Sequence, residues 1–165
     1  MEAVQPRTAT PAAPAEFSAG APDTAIAAMA ASMARTTRPG QAVLTDRDAR
    51  WPGQMRLTAC SYLHRWGLWR LADAAALLIT ELVTNALRYG LTDSIELRMI
   101  HTTRTVRIEV RGGTADAGVR TLGQASAFDE CGRGLFLVDA LADAWGVAED
   151  GSVWCSLSLT EGRTS

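Results

Sequence analysis

The chain has 165 residues, 47% of them hydrophobic, and its 16 basic and 18 acidic residues give a formal net charge of −2. This length suffices for one domain with a substantial core but not for two. The net charge is too close to zero for the strongly basic field of a nucleic-acid-binding surface, so we expect a protein partner or a small ligand instead.

The N-terminal region, residues 1–40, is rich in Ala, Pro and Thr and has a marginal helical pattern at 26–33. Such a composition buries too little apolar surface to fold alone. We therefore expect a disordered N-terminal tail, followed by a domain over residues 41–161. A partner-binding helix around Met29 and Met33 is the alternative for this region.

No stretch reaches the roughly 18 uninterrupted apolar residues of a membrane span, and the first residues lack a basic region followed by an apolar run. We therefore expect a cytoplasmic protein without membrane contact. The three cysteines, Cys60, Cys131 and Cys155, are odd in number and lack the close spacing of a zinc site. This pattern favours reduced thiols.

Two helices are expected after the tail. Residues 53–66 place apolar side chains at near-helical spacing and end near a glycine, and a longer helix follows over about 69–89. Gly90 comes directly after this second helix. A glycine at that position commonly ends a helix in the left-handed conformation, so we predict that conformation for Gly90.

The second half of the chain predicts strands and one more helix. Strict apolar/polar alternation at 95–99 and 106–110 predicts a β-hairpin with one apolar face. Residues 112–131 have no sustained period and predict a long loop. A helix is expected to follow from about Gly134 to Gly146.

A last alternating run at 153–159 predicts a closing strand, in which Trp154 points away from the apolar face. Together these elements predict an α+β fold. We expect a two-layer sandwich with helices on one face of a mostly antiparallel sheet.

The second predicted helix carries two polar residues, Glu81 and Asn85, on an otherwise apolar surface. They lie one turn apart and therefore share one face of the helix. Burying an unpaired carboxylate or amide costs on the order of several kcal/mol, so the pair indicates a polar ligand above this face. A purely structural alternative is that Glu81 pairs with Arg88 or Arg70 while Asn85 caps nearby backbone.

A glycine pair lies where the last helix is expected to begin. Gly132-Arg133-Gly134 would let backbone N–H groups approach an anion at the positive end of that helix. The motif is not a dinucleotide fingerprint, because Leu137 occupies the third glycine position. No Walker A sequence occurs in the chain.

These residues together resemble the ATP-binding domains of the GHKL superfamily, whose members include gyrase, histidine kinases and bacterial anti-sigma-factor serine kinases. Residues 77–90, LLITELVTNALRYG, resemble the N-box in the form used by the serine kinases. Gly132-Arg133-Gly134-Leu135 resembles the second glycine box, and 153–155 resemble the closing strand. The resemblance covers about 42–160, is greatest to small single-domain regulators of actinobacteria, and implies a Bergerat-type sandwich.

The resemblance implies a site for ATP and Mg²⁺. In that family the asparagine matching Asn85 holds the magnesium ion, and a neutral oxygen ligand suits this hard cation. The glutamate matching Glu81 is the catalytic general base. The nucleotide-binding positions implied by the resemblance are Asn85, Gly112, Gly113, Gly132, Arg133, Gly134 and Leu135.

One position departs from the family pattern. Relatives with intact nucleotide sites have an aspartate at the end of the second hairpin strand, and this aspartate accepts a hydrogen bond from the adenine amino group. Here Gly112 stands at that position, in the segment Val110-Arg111-Gly112-Gly113. Glycine has no side chain for this contact, and loss of the charged acceptor costs on the order of a hundredfold in affinity.

Two functions are therefore open. The first is an anti-sigma-factor serine/threonine protein kinase that phosphorylates an anti-sigma-factor antagonist, with Glu81 as base, Asn85 on magnesium and residues 113–131 as a nucleotide lid. The second is a non-catalytic, protein-binding regulator of the same fold with weakened or lost nucleotide binding. The resemblance implies a sigma factor or the antagonist as the partner. It also implies a homodimer formed through the sheet. A detached histidine-kinase catalytic domain is disfavoured, because the chain lacks a phosphoacceptor helix pair.

Overall fold

The computed structural model describes residues 23–38, 41, 43–112 and 130–160, with the backbone alone for 130–135. The helices and strands of these ranges, in chain order, are β1 (Ala25–Ala34), α1 (Asp46–Ala49), α2 (Trp51–Arg65), α3 (Ala72–Tyr89), β2 (Ser94–Thr102), β3 (Thr105–Arg111), α4 (Glu130–Leu141), β4 (Ala144–Val147) and β5 (Val153–Ser158). A 3-10 turn at Trp69–Leu71 leads into α3. The two predicted long helices and the predicted hairpin are confirmed, with ends that differ by a few residues.

The strands form one antiparallel sheet in the order β1-β2-β3-β5-β4. Alternate residues of β2, β3 and β5 are buried on one face, as the period-two pattern predicts. The register places Met99 opposite Ile108, and Ile108 opposite Cys155, so the buried residues of neighbouring strands lie side by side. The α+β architecture is confirmed.

The helices cover the buried face of the sheet. α3 packs against α2, α4 and the strands β2 and β3, and it is the central helix of this layer. Burying a large aliphatic side chain contributes about 1.5–3 kcal/mol, so this interface is the main source of stability. The largest fully buried aliphatic side chains are Leu63, Leu78, Ile79, Val83, Leu87, Ile95, Leu97, Met99, Val106, Ile108 and Val138.

The N-terminal prediction is wrong for residues 25–34, which form the edge strand β1 rather than a disordered tail or a helix. This strand pairs with β2 over its whole length, with Met29 opposite Met99 and Met33 opposite Ile95. Met29 and Met33 are buried. A spacing of four residues puts two side chains on the same face of a helix and also on the same face of a strand, so the sequence pattern does not distinguish the two. The segment forms a strand because it pairs with the edge of β2.

The predicted conformation of Gly90 is also wrong. Its φ of −67° and ψ of 148° are extended, not left-handed. A glycine is required there for space, because a Cβ atom at residue 90 would collide with the carbonyl oxygens of Ala86 and Gly112. The residue therefore serves a close approach between the end of α3 and the end of β3.

The last helix begins and ends earlier than predicted. α4 starts at Glu130, so the Gly132-Arg133-Gly134 segment lies within the helix instead of before it. The helix ends at Leu141, and residues 144–147 form the edge strand β4 instead of its last turn. Asp143 explains the early end, because its N–H donates to Ser156 O at 2.9 Å and its carboxylate accepts from Ser158 N–H at 2.7 Å. These bonds turn the chain into the sheet.

Two of the three cysteines are described in full, and both are free thiols. Burial raises the pKa of Cys155 to about 12 and also raises the pKa of Cys60. Since the thiolate is the reactive form, both are poor nucleophiles. Among the described residues, no helix has the length and the apolar composition needed to cross a membrane.

Candidate functional site

The candidate site is built on α3. The buried stripe of this helix includes Leu78, Leu82 and Ala86, and faces the sheet and its neighbouring helices. Glu81 and Asn85 lie one turn apart beside this stripe, and both are half-buried. The shared face predicted from their spacing therefore exists in the folded chain.

The polar groups of this pair have no partner in the described part of the chain. No hydrogen bond or ion pair of the described residues involves the Glu81 carboxylate or the Asn85 carboxamide. Thus no contact among the described residues supports the alternative in which Glu81 pairs with Arg88 or Arg70 and Asn85 caps backbone. Two polar groups are available to a ligand.

The surface around the pair is open. Leu77, one turn before Glu81, is 49% exposed, although it lies in the middle of a packed layer. On the opposite flank of α3, α2 is held close, since the Cys60 thiol donates to Ala72 O at 3.6 Å. Helical periodicity places Glu81 on the side of α3 opposite Ala72, and hence away from this contact with α2.

The end of β3 lies beside this helix, and Gly112 is buried there. A Cβ atom at residue 112 would lie 2.8 Å from Ala86 Cβ and 3.0 Å from Ile95 Cδ1, closer than such atoms normally approach. The carbonyl oxygen of Gly112 accepts hydrogen bonds from Leu91 N–H at 2.9 Å and Thr92 N–H at 3.3 Å. The backbone at this position is thus packed against α3 and bonded to the segment after it.

Sequence reasoning did not identify Arg35, which holds the end of α3. Its guanidinium donates to the carbonyl oxygens of Leu87 at 2.5 Å, Gly90 at 2.6 Å and Thr92 at 3.2 Å. A cation at the C-terminal end of a helix satisfies carbonyls that lack intrahelical partners and favours the helix dipole. The sequence alone places this residue in the expected N-terminal tail, so no sequence signal points to the contact.

A buried carboxylate, Asp48, was also missed. It accepts hydrogen bonds from Thr37 N–H at 2.7 Å, from Thr36 N–H at 3.0 Å and from the Thr36 hydroxyl at 2.9 Å. Burial alone raises the pKa of this carboxyl, but the hydrogen bonds from Thr37 and Thr36 outweigh it and hold the pKa below its usual value. These bonds of the carboxylate are with the turn after β1, so the Asp48 side chain anchors that turn to α1.

The other predicted site residues are not brought next to the pair by described contacts. Gly113 lies outside the described residues, as does nearly all of the predicted loop. Gly132, Arg133, Gly134 and Leu135 lie in α4, where only the backbone is described. The first four N–H groups of a helix have no intrahelical partner, and those of Gly132 and Arg133 fall within this set.

Trp154 and His101 have packing roles. Trp154 is half-buried, with the Arg107 guanidinium 4.3 Å from its ring centroid, and a Cβ atom at Gly146 would lie 3.1 Å from the ring. The imidazole of His101 stacks on Trp66, with ring centroids 5.7 Å apart. The predicted orientation of Trp154 is confirmed, since it lies opposite the buried residues of β5.

A family model for the histidine kinase-like ATPase domain matches residues 47–155, which is most of the chain. The chain belongs to this family. The match runs from α1 to β5 and includes α3, Gly112 and α4. No curated protein matches the chain.

In this histidine kinase-like ATPase domain, the residues that the resemblance assigns to magnesium are present, whereas the residue that it assigns to adenine is replaced. Asn85 offers a neutral oxygen and Glu81 a carboxylate, and neither group has a hydrogen-bond or ion-pair partner in the part of the chain that the structure describes. Mg²⁺ keeps several waters and takes few protein ligands, so such a pair suits an ion shared with phosphates. The described residues contain no cluster of three or more His, Cys, Asp or Glu that would hold a metal without a nucleotide.

The resemblance implies an aspartate that contacts adenine at residue 112, and this chain has glycine there. Gly112 offers no side chain, and its carbonyl oxygen already accepts two backbone hydrogen bonds. The chemistry of Glu81 and Asn85 therefore fits a magnesium ion shared with phosphates, whereas Gly112 does not supply the adenine acceptor that the resemblance implies.

Proposed function

We propose that this chain is an ATP-binding regulator with the protein serine/threonine kinase activity of anti-sigma factors, acting on an anti-sigma-factor antagonist. The observation that supports it is the pair Glu81 and Asn85, half-buried and unpartnered on one open face of α3. Neither polar group is among the fully buried, unpartnered atoms of the described residues, so both remain accessible to a ligand.

In this proposal Asn85 is the magnesium ligand and Glu81 is the general base. Asn85 would offer its amide oxygen to magnesium, and Glu81 would accept the proton of the serine hydroxyl as that oxygen bonds to the γ-phosphorus of ATP, the bond from this phosphorus to the bridging oxygen breaks and ADP leaves. Bound Mg-ATP supplies the transferred phosphoryl group and the charge that stabilises its transfer. Because Glu81 lies one turn from Asn85 on a packed helix, the base and the metal ligand keep a fixed separation.

The second candidate function is a non-catalytic regulator that binds a sigma factor or the antagonist without phosphorylating it. Gly112 favours it, since the adenine acceptor is missing and its place is filled by Ala86. In both cases we propose a cytoplasmic protein with a protein partner and without direct contact to nucleic acid or membrane. With either function, we propose that the protein forms a homodimer through its sheet.

The kinase proposal is tested with Glu81→Gln, which keeps the size of the side chain and removes its basicity. The full chain is incubated with radiolabelled Mg-ATP and a purified candidate antagonist, and phosphoserine is counted. We expect the variant to lose about 100-fold or more of the transfer rate while it still binds Mg-ATP, as general-base removal predicts. Glu149→Gln, at an exposed position in the turn between β4 and β5, is the matched control.

Transfer that persists in Glu81→Gln would reject Glu81 as the base. If the parent chain transfers no phosphate but binds the partner, the second function stands. In that case Asn85→Ala should bind the partner as tightly as the parent chain does, which a pull-down titration measures.

A further inference from the structure

The end of α2 and the turn that joins it to α3 carry a group of aromatic and arginine side chains at the edge of the helical layer. We propose that this group binds an acidic segment of a partner protein, which places a large apolar side chain against Trp69. The inference rests on the proposed function only in requiring a protein partner, and it needs neither nucleotide nor phosphate transfer. The group, called the α2-end surface below, consists of Tyr62, Arg65, Trp66, Trp69 and Arg70.

The aromatic rings of the α2-end surface lie close together. The rings of Tyr62 and Trp66 meet edge to face, with centroids 5.9 Å apart. A hydrogen bond of 2.8 Å from Leu68 N–H to Leu63 O turns the chain back at the end of α2. The chain from Trp66 to Trp69 could span at most about 11 Å even if it were extended, so Trp69 lies near the other two rings.

Trp69 is the ring that is open to a partner. It is 58% exposed, whereas Tyr62 and Trp66 are half-buried and Trp66 also stacks on His101 of β2. Single exposed apolar side chains are common on protein surfaces. Tryptophan, tyrosine and arginine together, however, are the residues that contribute most to binding at the centres of protein interfaces. Trp69 is therefore the side chain that we expect a partner to cover.

Arginine side chains lie over two of these rings. The guanidinium carbon of Arg65 is 5.6 Å from the ring centroid of Tyr62, and that of Arg70 is 5.2 Å from the ring centroid of Trp69. A guanidinium that lies over a ring is held in place and still presents N–H donors at its edge, in the fork that matches a carboxylate. Arg65 is exposed, so it can bind a carboxylate beside the aromatic rings.

The charge around the α2-end surface also favours an acidic ligand. Residues 50–72 include four arginines and neither aspartate nor glutamate, although acidic residues outnumber basic ones in the whole chain by 18 to 16. The nearest carboxylates in the sequence and at the hairpin turn are Asp73 and Asp23, and Asp23 already accepts hydrogen bonds from the hydroxyls of Thr102 at 2.8 Å and Thr103 at 2.9 Å. The local charge is thus positive within an acidic chain, and it attracts carboxylates over about 8–10 Å.

Single-stranded nucleic acid is the other ligand that stacked aromatic and basic side chains suit. Its binding sites need a track of cations that follows the phosphates for several nucleotides. Here carboxylates stand at both borders of a short positive surface, Asp73 at the start of α3 and Asp23 beside the turn between β2 and β3. The charge pattern therefore favours a protein segment over a nucleic acid.

The test uses two synthetic helical peptides and the isotope-labelled full chain. The acidic peptide carries a row of leucines flanked by glutamates, and the neutral peptide has glutamine in place of each glutamate. The indole N–H signal of Trp69, identified by its loss in Trp69→Phe, reports the binding site by NMR, and calorimetry gives the dissociation constants. We expect the acidic peptide to shift this signal and to bind about tenfold or more tighter than the neutral peptide, because charge-assisted hydrogen bonds are stronger than neutral ones.

Two variants with matched controls separate the charged contact from the apolar one. Arg65→Glu should weaken the acidic peptide by about tenfold or more and the neutral peptide far less, whereas Arg38→Glu, at an exposed position after β1, should weaken neither. Trp69→Ala should weaken both peptides by about tenfold or more. Leu91→Ala changes a side chain that is 67% exposed beyond the opposite end of α3, and should weaken neither.

Equal affinities for the two peptides, no binding of the acidic peptide, or a Trp69 signal that stays in place when it binds would each overturn the inference. A single-stranded oligonucleotide that binds more tightly than the acidic peptide and shifts the Trp69 signal would overturn it in favour of nucleic acid. Conversion of a dimer into a monomer by Trp69→Ala, seen in sedimentation, would assign the surface to a second copy of the chain instead. Peptide binding is measured without nucleotide, so its failure is distinguishable from failure of the kinase proposal.

Discussion

At the residue scale, the contact between Gly112 and Ala86 decides how closely the sheet approaches the central helix. Both residues are buried, and the Cβ of Ala86 fills the space in front of Gly112. Packed interiors tolerate added atoms poorly, because neighbouring groups must shift or adopt strained rotamers. A change of one methyl group at this contact therefore tests the packing directly.

We expect Gly112→Ala to lower the free energy of unfolding by about 1–3 kcal/mol through overpacking. Adding Ala86→Gly should recover part of this loss, since it removes the atom that the new methyl group meets. Gly53→Ala in α2 is the control, because a Cβ atom there meets nothing within 4 Å. Urea denaturation is measured for the parent chain, both single variants, the double variant and the control, and strictly additive effects of the two substitutions would contradict the assigned contact.

Asp48 gives a pH-dependent contribution at the same scale. The pKa of Asp48 in the folded chain lies below its ordinary value of 3.8, so the ionised carboxylate contributes stability above that pH, and this contribution is lost as the pH falls through the folded pKa. We expect Asp48→Asn to be clearly less stable than the parent chain at pH 7 and to differ less from it at about pH 3. Asp46→Asn, at an exposed position of α1, should show little difference at either pH. A destabilisation by Asp48→Asn that is equal at both pH values would refute this assignment.

At the element scale, β1 and α3 are held together by one side chain. Arg35 follows β1, and its guanidinium joins it to the last carbonyl oxygens of α3 and to the segment beyond. Its own N–H donates to Asp93 O at 2.9 Å, next to the start of β2. The edge strand and the helix that carries Glu81 and Asn85 are thus parts of one folded unit.

We expect Arg35→Met to lower the free energy of unfolding by about 1–3 kcal/mol, because several carbonyl oxygens lose a charged donor. Hydrogen exchange should become faster in the last turn of α3 and in β1 together. Arg38→Met, at an exposed position, should change neither quantity. Faster exchange in β1 alone would show that the side chain does not stabilise the helix end.

At the scale of the whole molecule, β1 is one edge of the sheet that the described residues form. Its sequence, AIAAMAASMA, has no charged residue and no proline. Such edges pair readily with other strands, and proteins that avoid this place charges there. The proposed homodimer gives this edge a partner.

We expect the parent chain to sediment as a dimer and Ala30→Lys, on the exposed face of β1, to shift it towards monomer, because a lysine on each edge brings like charges together. Gln54→Lys, on the exposed surface of α2, should leave the sedimentation unchanged. A parent chain that is monomeric at concentrations of about 100 μM, which is weak association on the usual affinity scale, would contradict self-association through the sheet.

The sequence by itself determined the elements that have a clear period. The hairpin, the closing strand and the two long helices follow from apolar spacing, and the pair Glu81 and Asn85 follows from helical geometry. Period and spacing are local properties, so they are readable without knowledge of the fold.

Only the tertiary structure decided the remaining features. The strand at 25–34 depends on the free edge of β2, the extended Gly90 depends on the neighbouring end of β3, and the early end of α4 depends on bonds from Asp143 to β5. The contacts of Arg35 and Asp48 also join residues of different elements. Each of these outcomes is set by groups that are distant in sequence, whose free energy of interaction exceeds the local conformational preference.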